Sequence, residues 1–307
     1  MTLLPALILL VSWLLSPQAP LAPAVQTSST GIHHALLGTG GETFLLGSDG
    51  ATRWTYPGST RDGWVLPDGR ILLAVNRSAE YPGGAVVELD KTGKPDLVFK
   101  GSQYEVDTVQ PLPGGRLMLT ESGENPRVLE IDRKGKVLAT VALQCQKENH
   151  HMQTRMARKL KNGNYLVPHA LDKVVKEYAP DGRVVWSVDT PDWPFTAIRL
   201  TSGNTLIGCT RGNLVIEVNG EGKTVWKLTN DDLPAALIKD ACGVQRLQNG
   251  NTVVTSYGAG GADETKMIEV TPGKRLVWSL KSGRAHGIHT FQILDDRGLP
   301  MRGAVLK

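Results

Sequence analysis

From Ala35 almost to its end the chain alternates short apolar runs with turn residues, and no stretch carries the apolar period of an amphipathic helix. Two phrases recur. The first is an apolar strand, a turn closing on glycine, and a second strand with an aromatic or apolar residue four or five positions on. It reads FLLGSDGATRWTY, VVELDKTGKPDLVF, VLEIDRKGKVLATV, VKEYAPDGRVVWSV, VIEVNGEGKTVWKL and MIEVTPGKRLVWSL. The second reads WVLPDGRILLAV, VQPLPGGRLMLT, ARKLKNGNYLVP, IRLTSGNTLIGC, VQRLQNGNTVVT and a degenerate FQILDDRGLPMR. Its glycines, Gly69, Gly115, Gly163, Gly203, Gly250 and Gly298, lie 46, 48, 40, 47 and 48 residues apart. Asp-Gly, Asn-Gly or Gly-Gly between β-branched runs marks a hairpin, because the turn needs φ > 0. Each unit therefore predicts two hairpins, and four antiparallel strands repeated at this period predict an all-β, six-bladed β-propeller, with seven blades as the alternative. The chain starts inside a unit (HHALLGTGG) and ends on that unit's missing strand (GIHTFQIL), so the N- and C-terminal strands are expected to close one blade together.

The repeat also separates scaffold from site. Glu88, Glu130, Glu177, Glu217 and Glu269 hold one place in five units, which predicts outward strand residues or partners of cations on neighbouring strands. Trp54, Trp186, Trp226 and Trp278 recur likewise and are expected to pack between blades. Polar residues that occur in one unit only are free to serve a ligand. The loops entering the innermost strands gather such residues on one face: Arg61, Asp62, Tyr104, Glu105, Asp107, His150, His151, Arg155, Trp193, Phe195, Lys239, Asp240, His286 and His289. Neighbouring loops add Asn76, Arg77, Glu121, His169, Arg211 and Tyr257, so five of the seven histidines are expected at one mouth. The tandem pair in KENHHMQTR reads as an unrepeated insertion into that funnel.

Charge and composition narrow the partners. The 34 basic and 30 acidic residues are interleaved, and a net charge of +4 without a basic stripe or arm argues against nucleic acid. The apolar run Leu3–Leu15 is too short to span a bilayer but suits a secretory leader, and Ala22-Pro23-Ala24 suits its cleavage. Residues 1–24 are thus expected as a signal peptide and 25–307 as one propeller domain, secreted or periplasmic; no Lys or Arg precedes the run, which leaves an uncleaved anchor as the alternative. No later stretch is long and apolar enough to cross a membrane. Cys145, Cys209 and Cys242 allow at most one disulfide, match no zinc or redox spacing, and read as small buried hydrophobes.

The phrases EVNGEGKTVWKL and RLQNGNTVVTSY resemble the repeats of quinoprotein-like (PQQ-like) propellers and, more weakly, those of bacterial arylsulfotransferases. The resemblance implies a propeller over nearly the whole mature chain. Quinoprotein dehydrogenases have eight blades, a vicinal cysteine pair and a metal site, so bound PQQ is not expected in a chain of about six blades without adjacent cysteines. Arylsulfotransferases carry a further N-terminal domain and a sulfated channel histidine, for which His150, His151 and His289 are the matching positions.

Three chemistries fit the mouth. The first is binding of a carbohydrate, an anionic small molecule or a protein partner, with Trp193, Phe195 and Tyr104 as stacking platforms. In this reading Asp62, Asp107, Tyr104, His169, Trp193, Arg211, Lys239 and His286 contact the ligand. The second is acid–base or nucleophilic catalysis of the arylsulfotransferase or polysaccharide-lyase type by His150, His151 or His289, with Arg155 clamping an anion. The third is a divalent metal held by His150 or His151, His289 and Asp107; no cofactor is otherwise expected. The residue types favour the first and leave open whether the protein is an enzyme.

Overall fold

Short β-branched strands joined by glycine turns close into six sheets arranged as a ring, a six-bladed β-propeller, in the computed structural model, which describes residues 22–302 and 307. The expected leader run, Leu3–Leu15, lies outside the described residues. Blade 2 shows the pattern: strands Thr60–Val65, Ile71–Val75, Ala85–Leu89 and Pro95–Lys100 pair antiparallel in order from the axis outward. Blades 3, 4, 5 and 6 begin at the axis with Glu105–Pro111, Arg158–Lys159, Pro194–Arg199 and Ala241–Arg246. In blade 1 the innermost strand is Phe291–Leu294 from the far end of the chain, paired with Ala35–Gly38, as the phase of the repeat predicts.

The Leu-x-x-Gly turns close as expected. Gly69, Gly163, Gly203 and Gly250 have φ of 84 to 90°, and each donates its N–H to the leucine carbonyl three residues back at 2.8 to 3.0 Å. That left-handed backbone is cheap only for glycine. These turns all lie on the face of the ring opposite the entry loops.

The core is itself a ring. Six apolar clusters sit one in each seam between neighbouring blades. The recurring glutamates fasten the same seams. Glu217 accepts from Arg246 of the next blade at 2.8 Å and Glu177 from Arg199 at 2.7 Å. Glu130 pairs with Lys159, Glu88 with Arg133, and Glu269 closes the ring on His34 at 2.6 Å. The indole N–H groups of Trp186 and Trp226 donate to turn carbonyls of the following blade, Gly220 and Pro272, both at 2.8 Å.

One element has no counterpart in the repeat. Val25–Ser28 pairs with Leu276–Lys281 as a fifth, outermost strand of blade 6. Its Gln26 accepts from His34 N and Trp278 Nε1 at 2.8 Å and donates to the carbonyls of His34 and Ser48. Among the described residues no helix is long and apolar enough to cross a membrane.

Candidate functional site

The first residues of the inner strands converge where the channel opens. Arg61 and Asp62 open blade 2, Glu105 and Asp107 blade 3, and Phe195 blade 5. Blade 4 departs from the others, since only Arg158–Lys159 pairs regularly there and the preceding chain makes a short 3₁₀ turn, His150–Met152. Buried Gln153 pins that turn to blade 3, accepting from Gly123 N at 2.7 Å and donating to Gly123 O at 3.0 Å. The tandem histidines consequently point different ways. His151 reaches the mouth, with Nδ1 at 2.9 Å from Glu105 and 3.0 Å from Arg61. His150 turns to the rim, edge-on to Tyr104 and 3.2 Å from Glu124.

His289 arrives from the chain end that completes blade 1. Gly287 makes that approach feasible, because a Cβ there would sit 2.1 Å from the Tyr257 carbonyl oxygen. The imidazole stacks on Tyr257 with ring centroids 3.9 Å apart and lies 5.3 Å from the Phe195 ring. Burial, reinforced by Arg61, Arg155 and His151, pushes its pKa well below the usual histidine range, so the ring is neutral.

The acids divide. Burial alone would raise Glu105, but the hydrogen bond from His151 and the charge of Arg61 outweigh it and hold the carboxyl down to about 2. Asp107 goes the other way: burial and the Glu105 charge push it well above the carboxylate range, despite Arg155 3.7 Å away and hydroxyls from Ser122 and Thr154. Arg155, only 4% exposed, gives its hydrogen bonds to the carbonyls of His151 and Thr154 and to the Met152 sulfur. Met156, Phe195 and Cys242 form an apolar patch of channel wall beside it.

The remaining candidates lie elsewhere. Asp62 sits deeper in the channel with its oxygens already taken by Gly63 N, Thr108, Arg158, Thr290 and Lys307, at 2.7 to 3.5 Å. His169 is wholly buried against Tyr178, and burial pushes its pKa down to about 3; its place is in the blade interior. Trp193 and Arg211 stack on one another at the rim, 4.5 Å apart. Lys239 pairs with Glu264, and exposed His286 lies against Gly41. The three cysteines are unpaired. Among the described residues no three His, Cys, Asp or Glu side chains are grouped as metal ligands.

Arg158 and Lys307 had no place among the expected site residues. The first sits on an inner strand that pairs regularly over two residues; the second belongs to a tail that matches no repeat. Both fill the far end of the channel, where a cavity of about 700 Å³ opens between the Leu160 and Leu200 turns. A second cavity of about 420 Å³, lined by His33, His34 and Met301, lies on the same far face. These cavities are roomy, and most cations around the larger one already have carboxylate partners: Arg158 and Lys307 share Asp62, Lys159 meets Glu130 and Arg199 meets Glu177, while Lys161 stands at its edge.

No protein-family model matches the chain, and no curated protein does. Solved structures show likeness of fold. A protein of unknown function from Bacteroides caccae is 23% identical with a TM-score of 0.74, covering 86% of this chain and 100% of that one. A catalytically inactive virginiamycin B lyase from Staphylococcus aureus, with quinupristin, is 11% identical with a TM-score of 0.58, covering 88% and 95%. The WD40 propeller domain of Doa1 is 11% identical with a TM-score of 0.54, covering 84% of each chain. Identities this low speak for the shared architecture alone.

Proposed function

We propose that this protein is an exported ligand-binding propeller whose working site is the mouth formed by Arg61, Glu105, Asp107, His151, Arg155, Phe195, Tyr257 and His289. A carbohydrate, an anionic small molecule or a segment of a partner protein would occupy it. One observation carries the reading: His289 Nδ1, Asp107 Oδ1 and Arg61 Nε are buried there without hydrogen-bond partners among the described residues. Each such group costs roughly 1–3 kcal/mol, and an occupant that pairs with them recovers that energy. The far end of the channel offers more volume and less unmet chemistry.

A thermal-shift screen of the purified protein with saccharides, organic acids and short peptides tests this. Ligands that raise the melting temperature should lose their effect in Tyr257→Ala. Ligands that still act in Tyr257→Ala and stop acting in Lys161→Glu would move the site to the far face and end the proposal.

A specific pair of groups supports a second reading, turnover by proton transfer. Neutral His289 is a base in waiting and protonated Asp107 an acid, their titrations displaced in complementary directions. Under that reading His289→Gln abolishes turnover of a ligand that the unaltered protein converts, and an unchanged turnover rate ends the reading.

A further inference from the structure

Building on the mouth as the ligand site, we infer that its occupant carries a single carboxylate, seated on the guanidiniums of Arg61 and Arg155, with its organic body against Phe195 and Tyr257. The geometry favours an anion. Arg61 and Arg155 are 8% and 4% exposed, so both cations are nearly out of water. The ionised carboxylate beside them, Glu105, is already held by Arg61 at 2.9 Å and by His151 at 2.9 Å. Among the described residues Arg155 has no carboxylate at hydrogen-bond distance; Asp107 stands 3.7 Å off, and burial and the Glu105 charge raise its pKa, which weakens it as a counter-ion. A buried guanidinium whose nearest carboxylate is out of hydrogen-bond reach is costly, and one negative charge from a ligand offsets that cost.

The donors choose the shape of that anion. Guanidinium groups present planar forks that match two carboxylate oxygens, and a protonated Asp107 can donate one more hydrogen bond. A dianion fits worse, because its second charge would face Glu105. The walls choose the rest of the molecule: Phe195, His289 and Tyr257 form a continuous run of rings, 5.3 and 3.9 Å apart, ending at half-exposed Tyr257. An apolar or ring-bearing body continues that stack outward.

Calorimetric titration of the full chain with benzoate, its neutral isostere benzamide, benzenesulfonate and phenyl phosphate tests the inference. Benzoate should bind at least about tenfold more tightly than benzamide and more tightly than phenyl phosphate. Arg155→Met should cost benzoate about tenfold or more, with Arg155→Lys recovering part of the loss. The comparison of acid with amide on the unaltered protein needs no variant, so a folding defect in Arg155→Met leaves the test intact. Equal affinity for benzoate and benzamide, both lost in Tyr257→Ala, would overturn the carboxylate and keep the ligand site. Tighter phenyl phosphate or benzenesulfonate overturns the planar monoanion, and absence of benzoate binding overturns the inference outright. The unbiased thermal-shift screen then decides separately whether the mouth binds anything.

Discussion

His289 is folded into a place where a proton is unwelcome, between an aromatic ring on either side and two guanidiniums. Its pKa lies below the ordinary value near 6.5, so as pH falls through that value the unfolded chain takes up a proton that the folded chain refuses. The stabilisation it contributes is present above about 6.5 and is lost as the solution is acidified. His169, held down to about 3 by burial, acts in the same sense. Each can contribute a slope of up to about 1.4 kcal/mol per pH unit in this window. Glu105, held down to about 2, adds its loss only below about 4.5. Asp107 has the opposite sign, its contribution being present below the ordinary aspartate value and lost above it. Urea midpoints measured from pH 7 to 5 should therefore fall less steeply in His289→Gln than in the unaltered chain, and least in the double variant with His169→Gln. Identical slopes would mean that His289 takes up its proton in the fold as readily as in the unfolded chain. The inner-strand entries make Asp107, Arg155, His151 and His289 legible in the sequence as residues of one mouth. They did not separate His151 from His150, because a 3₁₀ turn sends adjacent side chains apart and no pattern of residue types announces it. Nor did they reveal that Asp62 is spent on Arg158, a contact between side chains 96 residues apart.

At the scale of strands, the seam between consecutive blades combines an apolar cluster, a Glu-to-cation pair and, in two seams, an indole donating to a turn carbonyl. The repeat exposed this arrangement, since a residue type that recurs at one place in five units must serve what the units share. Glu217 is nearly buried and accepts from both Asn204 and Arg246. Glu217→Ala leaves that guanidinium without its partner and should cost about 2 kcal/mol in equilibrium unfolding, within the range for a part-buried pair. Arg183→Ala, which removes an exposed pair with Asp181, should change stability by less than about 0.5 kcal/mol. Comparable losses in the two variants would show that the seam pair adds nothing beyond a surface contact. The strand Val25–Ser28 was not legible, because VQTS offers neither a clean apolar alternation nor a turn signal and its pairing is decided by the edge it covers. Its grip is concentrated in Gln26, whose amide makes four hydrogen bonds linking this strand to His34, Ser48 and Trp278. Gln26→Ala should lower the unfolding free energy by about 2–3 kcal/mol, against a few tenths for exposed Thr27→Ala.

For the molecule as a whole the decisive contact is the one that joins its two ends. A ring of wedges has no central core to fall back on, so each blade is stable only with a neighbour on both sides. Blade 1 takes its innermost strand from the far end of the chain. Its inner strand contributes Phe291 and Ile293 to the seam with blade 6 and Leu294 to the seam with blade 2. It also accepts from Val65 N through Gln292 and donates Ile293 N to Gln245, so one short strand hydrogen-bonds to both neighbouring blades. The number of blades was readable from the spacing of glycines because sequence period and structural period coincide. The closure was readable because the phase left one unit short of a strand. The same logic separates two ways of interrupting the chain. Truncation after Thr290 bares the Ala35–Gly38 edge and opens two apolar seams at once, and should yield a protein without a cooperative thermal transition by circular dichroism. A circular permutant opened at exposed Glu221 cuts a tight turn inside blade 5, keeps every seam occupied when residues 22 and 302 are joined by a flexible linker, and should retain a single transition at a modestly lower temperature. A truncated chain that still melts cooperatively would mean that five blades and a remnant are self-sufficient, and that the shared blade is not what holds the mouth residues Arg61 and His289 face to face.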